Sequence, residues 1–442
     1  MFARRAAHGL SLLVLLGTLL GCAQAPVTQA QAAPAATIDA AQVAKGAHLS
    51  AIGDCAVCHT SEGGAAFAGG RALPTPFGTV HSTNITPDGD TGIGRWSRDE
   101  FRRAMHEGID RAGRHLYPVF PYDHFTRLTD DDVDALYGFI MTRAPVKARP
   151  PRNRLVFPAN VRPLLAAWNW LYLDERRFVP EATQNAEWNR GAYLVEGLAH
   201  CGACHTPRNA AGAEKRRERF AGGDAEGWHA PGLLAASPAP IAWTGDALFR
   251  YLRSGFDRDH GLAAGPMAPV VDGLATVPEA EVRAIVTYLT SAPAAPRTMA
   301  AADVAATAER RAFDAVGRHG ADRATEGTTG VAYTEDAGEI IFTGACATCH
   351  YRGDALPEVK PVPLGLATSV NASTPRNALQ IVLDGLHPQS GARGAIMPGF
   401  GDALTDAQIV AVVQYVRARF SDGPKWSDIA KTLHAIRQEK TR

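Results

Sequence analysis

The sequence predicts a mostly α-helical protein made of three tandem copies of one small domain, joined by long linkers. Three observations carry this prediction. The pattern C-x-x-C-H occurs three times at nearly equal intervals, at 55–59, 201–205 and 346–350. A helical stretch precedes each copy, at 40–54, 186–200 and 336–345. An amphipathic helix closes each unit, at 129–141, 278–290 and 405–417. Repetition at a fixed period marks repeated structural units.

The elements follow in order. In the closing helices Val133, Val282 and Ile409 align, which brings Phe139, Tyr288 and Tyr415 into register. Thr129 and Thr405 are N-cap signals, and Pro278 suits a helix start. The expected domains are 38–143, 186–292 and 336–420, with linkers at 144–185 and 293–335 and an amphipathic tail at 421–442. In the first linker, 163-PLLAAWNWLYL-173 is too apolar to float freely and is expected to dock on a neighbour or partner. The second linker carries a charged, helix-like stretch at 302–317. In the tail, Trp426, Ile429, Leu433 and Ile436 share one helical face, expected to pack on protein in preference to a membrane surface.

Composition narrows the function. A chain of 442 residues has room for several domains. Lys plus Arg and Asp plus Glu are both 45, a net charge of zero that argues against a nucleic-acid binder. Charged residues at 20% and hydrophobic residues at 46% are globular values. Seven cysteines are too few for a disulfide scaffold of this length.

The N-terminus reads as an export signal. Arg4 and Arg5 precede an apolar run, Leu10–Leu20, shorter than the ~20 residues a bilayer requires. Leu19-Leu20-Gly21-Cys22 follows and looks like a bacterial lipobox, so 1–21 is expected to be removed and Cys22 lipidated. Cleavage after Ala23-Gln24-Ala25 is the alternative, disfavoured by Pro26. Residues 22–37 then form an Ala/Gln/Pro tether to the membrane.

The other six cysteines all fall in the repeated pattern: Cys55, Cys58, Cys201, Cys204, Cys346 and Cys349. C-x-x-C-H is the attachment frame of c-type haem. Two thiols one helical turn apart reach two vinyl groups of one porphyrin, and the adjacent imidazole becomes an iron ligand. A thioredoxin-type pair needs no His after the second Cys, and a zinc site would need distant pairs to combine. Three covalently attached haem c groups are therefore expected, with His59, His205 and His350 as proximal ligands.

The opposite axial position is expected to hold Met267 in the second unit and Met397 in the third. Both lie in Pro/Gly-rich loops shortly before a closing helix. The corresponding stretch of the first unit, Pro118-Val119-Phe120-Pro121, has no methionine. Met105 sits in an amphipathic helix at 97–109, and Met141 falls within the closing helix. The expected ligand is His124, with His115 as second choice and an open position as the remaining alternative. Bis-His ligation would lower the potential of this haem relative to the other two.

The stretches 75-TPFGTVHSTNITPDGDTGIGRWS-97, 115-HLYPVFPYDHF-125, 204-CHTPRN-209, 227-GWHAPGL-233 and 265-GPMAPVV-271 carry a resemblance. Along nearly the whole mature chain, the sequence resembles the tri-haem cytochrome c subunits of bacterial membrane-bound dehydrogenases for alcohols, gluconate, fructose and aldehydes. The resemblance implies three haems passing electrons from a catalytic subunit to ubiquinone or another respiratory acceptor. Met267 and Met397 match the family's distal methionines. Phe120 departs from the alcohol dehydrogenase pattern, which has Met there. The Phe form, followed by Tyr-Asp-His, looks more like cytochromes that accompany molybdenum hydroxylases. A molybdenum/iron–sulfur or flavin partner at the periplasmic face of the inner membrane is thus expected. A free-standing electron shuttle, and a haem enzyme or gas-binding protein open at the first haem, are the rival readings.

Overall fold

The computed structural model describes residues 39–292, 299–317, 335–350, 363–386 and 397–440. The signal segment, Cys22 and the tether lie outside the described residues. The described chain is mostly helical, and each unit is built on the same three helices. The opening helices are Ala40–Ile52, Ala186–Tyr193 and Glu335–Ile341. The middle helices are Arg98–Glu107, Gly245–Ser254 and Arg376–Asp384. The closing helices are Asp130–Met141, Glu279–Thr290 and Asp406–Phe420.

Local sequence explains these starts. Thr129 accepts a hydrogen bond from the Asp132 amide, and Thr405 forms a reciprocal capping box with Gln408. Ser97 and Glu100 cap the first middle helix in the same way. Asp39 and Asn185 cap the first two opening helices through their side-chain oxygens.

Opening and closing helices cross in every unit, and each crossing is built on a glycine. A Cβ placed on Gly46 would lie 2.0 Å from the Ala135 carbonyl oxygen; on Gly191, 1.9 Å from that of Ala284; on Gly338, 2.3 Å from that of Ala411. The same three Cβ atoms would press on the Cβ atoms of Phe139, Tyr288 and Tyr415 at 2.7, 2.7 and 2.8 Å. The aromatics aligned in the sequence are therefore the residues that pack over these glycines. Val133, Val282 and Ile409 are fully buried beneath them.

The opening helices reach their motifs differently. In the first unit Gly53 ends the helix, and Asp54 adopts a left-handed conformation with φ of 53°. In the second unit a π-helical turn, Leu194–Leu198, comes between helix and motif, and in the third the π-helical turn Phe342–Cys346 runs into the motif itself. Periodicity read from sequence carries no signal for such a turn.

The first two units share one core. Leu49, Ile52, Leu128 and Leu136 of the first pack with Leu194, Leu198, Leu274 and Ile285 of the second. Helix Met267–Thr276 of the second unit lies on the opening helix of the first, where a Cβ on Gly273 would meet the Ala51 carbonyl oxygen at 2.6 Å. Tyr193 donates to the Asp132 carboxylate at 2.6 Å, and Arg71 reaches Glu226 at 2.5 Å. The second and third units meet through a hairpin, Gly223–Ala225 with Trp228–Ala230. The His229 amide donates to Asn377 Oδ1 at 2.9 Å, and Asn377 Nδ2 returns to the His229 carbonyl at 2.7 Å.

The connecting segments are structured where described. Arg154–Leu155 adds a third strand to the hairpin Ala72–Thr75/Gly78–His81. Helix Leu165–Tyr172 docks one face on the protein: Trp168 Nε1 donates to the Ala211 carbonyl at 3.0 Å, and Asn169 accepts from the Tyr122 hydroxyl at 2.7 Å. Its outer face leaves Trp170 83% exposed. Helix Ala301–Gly317 occupies the charged stretch of the second linker, and Ala308 packs with Leu366. The tail helix Ile429–Lys440 buries Ile429, Leu433 and Ile436 in the third core together with Trp426. Its apolar face is thus covered by protein.

Gly191→Ala should lower stability by about 1–3 kcal/mol, because the new methyl group meets backbone that cannot turn aside. Gly344, around which a Cβ meets nothing within 4 Å, is the control, and Gly344→Ala should be nearly neutral. Chemical unfolding of the haem-loaded protein followed in the Soret band measures both, and equal midpoints would refute the glycine-crossing account.

Candidate haem sites

Each motif folds as a single helical turn, placing its two thiols on one side. The His59 amide bonds to the Cys55 carbonyl at 3.0 Å, as the His205 amide does to that of Cys201. Cys349 and His350 lie in the turn Ala347–His350. Burial raises the thiol pKa values, to about 11 for Cys55, Cys204 and Cys346 and to about 12 for Cys58 and Cys201. A thiol–disulfide exchange site needs the reverse, a depressed pKa in an electropositive setting.

The imidazoles are set up to ligate. His59 Nδ1 lies 2.7 Å from the Thr83 carbonyl oxygen, and His205 Nδ1 lies 2.7 Å from that of Pro231. A carbonyl only accepts, so Nδ1 carries the proton and Nε2 keeps its lone pair for a metal. Burial lowers the pKa of His59, His205 and His350 and favours the neutral ring that binds iron. Among the described residues His350 Nδ1 has no hydrogen-bond partner.

His205 and His350 face one continuous apolar cavity of about 650 Å3, which Met267 and Met397 also line. The cavity includes Cys201, Cys204, Cys346 and Cys349, so two attachment turns open on the same space. Size, apolar lining, paired thiols and neutral imidazoles suit a porphyrin. Met267 begins helix Met267–Thr276 directly after Pro266, below the Gly265 turn that holds the Trp228 ring. Met397 is fixed by a backbone bridge to Leu386.

A feature that sequence reading overlooked relates Met267, Met397 and Phe120. Each middle helix ends at a glycine with positive φ: Gly108 at 65°, Gly255 at 71° and Gly385 at 78°. Met267 lies twelve residues after Gly255, and Met397 twelve after Gly385. Twelve after Gly108 stands Phe120. The local folds agree, since Leu116 bonds back to the Gly108 carbonyl at 2.6 Å as Ala263 does to Gly255 at 2.7 Å. Side chains cannot enter these corners: a Cβ on Gly385 would lie 2.2 Å from the Met397 carbonyl oxygen, and one on Gly108 would be 2.7 Å from the Tyr122 ring. The repeated glycine was the available signal.

His124, the expected sixth ligand of the first haem, is committed elsewhere. Its Nδ1 lies 2.9 Å from the Glu196 carbonyl oxygen, and its Nε2 lies 2.7 Å from Glu214 Oε1. The ring sits beside Gly202 of the second motif, 3.1 Å from where a Cβ would be. The physical reason lies in the shared core: the turn Tyr122–Phe125 is pressed between two units, and its imidazole satisfies acceptors of the second. His115, the second choice, stands at the register position of Leu262, a wall residue of the shared cavity, with Nδ1 3.4 Å from Asn169 Nδ2. The loop 82–94 spends its polar groups on itself and its neighbours: Asn84 Nδ2 donates to the Val146 carbonyl at 2.7 Å, and Thr86 to Asn84 Oδ1.

Comparison with known proteins agrees with these sites. Residues 43–144 match the family model described as cytochrome c, and residues 334–416 match cytochrome c oxidase, cbb3-type, subunit III. One of the subunits of nicotinate dehydrogenase from Pseudomonas putida is 45% identical over 402 residues; that match covers 90% of this chain, which spans only 32% of that protein's length. The cytochrome subunit of fructose dehydrogenase from Gluconobacter japonicus is 36% identical over 86% of this chain and 79% of its own. The cytochrome c subunit of gluconate 2-dehydrogenase from Pantoea cypripedii is 34% identical over 91% of this chain and 90% of its own. With attachment turns, neutral imidazoles and relatives in agreement, the chain belongs to the family of cytochrome c subunits of dehydrogenase complexes and binds haem c covalently.

Proposed function

We propose that this protein carries three haem c groups and passes electrons from a catalytic dehydrogenase subunit to ubiquinone or another respiratory acceptor. In the same proposal Cys22 is lipidated and holds the protein at the periplasmic face of the inner membrane. No described helix is long and apolar enough to cross a membrane, so the lipid is the attachment the proposal requires. The observation that carries the electron-transfer reading is the single cavity lined by the second and third motifs. Two attachment turns on one apolar space favour short electron hops between the groups they hold.

Bound haem c supplies a one-electron change at iron. The protein's part is to set where and at what potential that change occurs. Thr83 and Pro231 hold the imidazoles of His59 and His205 in the ligating tautomer through their carbonyl oxygens. Met267 and Met397, as thioether ligands, raise the potential of the second and third haems. The Asn377–His229 exchange and the Arg376 contact with the Gly227 carbonyl at 2.8 Å fix the second unit against the third. Rigid placement of this kind lowers the reorganisation that each transfer requires.

Substrate oxidation is assigned to the partner, a molybdenum/iron–sulfur or flavin subunit. The relative with 45% identity belongs to a nicotinate dehydrogenase, in line with the molybdenum-hydroxylase resemblance of Phe120-Pro121-Tyr122-Asp123-His124. The outward face of helix Leu165–Tyr172, where Trp170 and Leu171 stand 83% and 59% exposed, is the surface assigned to that partner.

Gentle detergent extraction of the native complex, with subunit identification and metal analysis, tests the reading. A co-purifying catalytic subunit is expected, and purification as a lone soluble protein would refute it. Trp170→Ala should weaken the complex by about 2 kcal/mol, roughly thirtyfold in affinity, if this ring is a docking anchor; unchanged affinity would remove the face from the interface. Met267→His should lower the potential of one haem substantially, within the roughly 0.8 V that axial ligands span. Redox titration would show this as the displacement of a single wave.

A further inference from the structure

The first haem site differs from the other two in its distal half. Its register position for a ligand holds Phe120, whose phenyl ring has no lone pair to offer iron. That ring is packed among aromatics, edge-on to Phe125 with centroids 5.4 Å apart and tilted to Tyr122 at 6.3 Å. Most other donors of the unit are held elsewhere, and the buried imidazoles His81 and His106 each keep one ring nitrogen without a hydrogen-bond partner among the described residues. His124 has both ring nitrogens engaged by the second unit. Met105 is 6% exposed within the shared core, and Met141 packs beside the Phe67–Ile93 cluster. His106 Nδ1 faces the Phe125 carbonyl oxygen at 3.2 Å, and its Nε2 lies 3.3 Å from the Asp130 carboxylate. His81 ends the strand Gly78–His81, two residues before the Thr83 carbonyl that holds His59, and is 8% exposed with Nδ1 unpartnered among the described residues. His115 stands at a wall position.

We propose that the haem held by Cys55, Cys58 and His59 is ligated by the protein on one side only. Its other face, walled by Phe120, takes a small neutral π-acceptor molecule such as carbon monoxide or nitric oxide. The proposal rests on the reading that the first motif carries a haem. Binding forms one bond from the ligand to ferrous iron and displaces no side chain, so no proton or leaving group is required. A phenyl wall offers no hydrogen bond, which favours a neutral diatomic molecule over an anion that needs a donor beside it. The Met267 and Met397 sites are closed by their own sulfur ligands.

The test uses the full chain with haem attached. Pyridine haemochrome counts the haems, and carbon monoxide is added to the dithionite-reduced protein. The expected result is three haems with one of the three shifting its Soret band, and a high-spin ferric signal in the electron paramagnetic resonance spectrum before reduction. Phe120→Met should abolish carbon monoxide binding and add the charge-transfer band of thioether on ferric iron. Should that variant fail to take up haem, the wild-type resonance and carbon monoxide stoichiometry still decide. Three haems, all low-spin and none reacting, would overturn the proposal. So would carbon monoxide binding that appears only in His81→Ala, His106→Ala or His115→Ala, which would make that histidine the ligand. A count of two haems, with Cys55 and Cys58 unmodified by mass spectrometry, would overturn it through the underlying reading instead.

Discussion

Backbone-to-backbone contact at the three helix crossings is the constraint on which the rest of the structure depends. Gly46, Gly191 and Gly338 let an opening helix rest directly on a carbonyl of the closing helix. An aromatic ring then closes over the contact. The opening helix leads through a short turn into the motif, and the closing helix follows later in the same unit. One close crossing therefore brings proximal and distal halves of a site to a fixed separation. Helix propensity would not achieve this, because glycine is a poor helix former. The residue is retained for the distance it allows.

The second level of organisation is the joining of the units. The first and second are fused through a common core, and the third is attached through a hairpin and the side chains of one helix. The two junctions differ in chemistry. The first is mainly apolar with buried hydrogen bonds such as Tyr193–Asp132. The second relies on reciprocal amide contacts around a cavity that the two units complete together. Apolar burial suits permanent fixing, while the amide contacts specify register around the cavity that both units line.

The junction between the first two units also explains the first site. Once Tyr122–Phe125 is pressed into the shared core, His124 is drawn to Glu196 and Glu214, and the ring it would otherwise offer to iron becomes part of the interface. Interface packing and haem ligation compete for the same short turn. In the second unit the corresponding segment continues as the helix Met267–Thr276, whose first residue lines the cavity.

Much of this was legible in the sequence. The C-x-x-C-H turns are local chemistry, so residue identity and spacing alone fixed the thiols and the imidazoles. Helix caps at Thr129 and Thr405, and the apolar register of Val133, Val282 and Ile409, are likewise properties of neighbouring residues. Met267 and Met397 were expected on the distal side because few methionines exist and their loops are distinctive, and both line the cavity that His205 and His350 face. The fate of His124 could not be read, because its partners are Glu196 and Glu214, distant in sequence and positioned by the fold. The joining of two sites into one cavity, the protein-covered face of the tail helix and the exposed ring of Trp170 were also settled only by tertiary packing. Short-range spacing determines what each unit can bind; long-range contact decides which side chains remain free to do so.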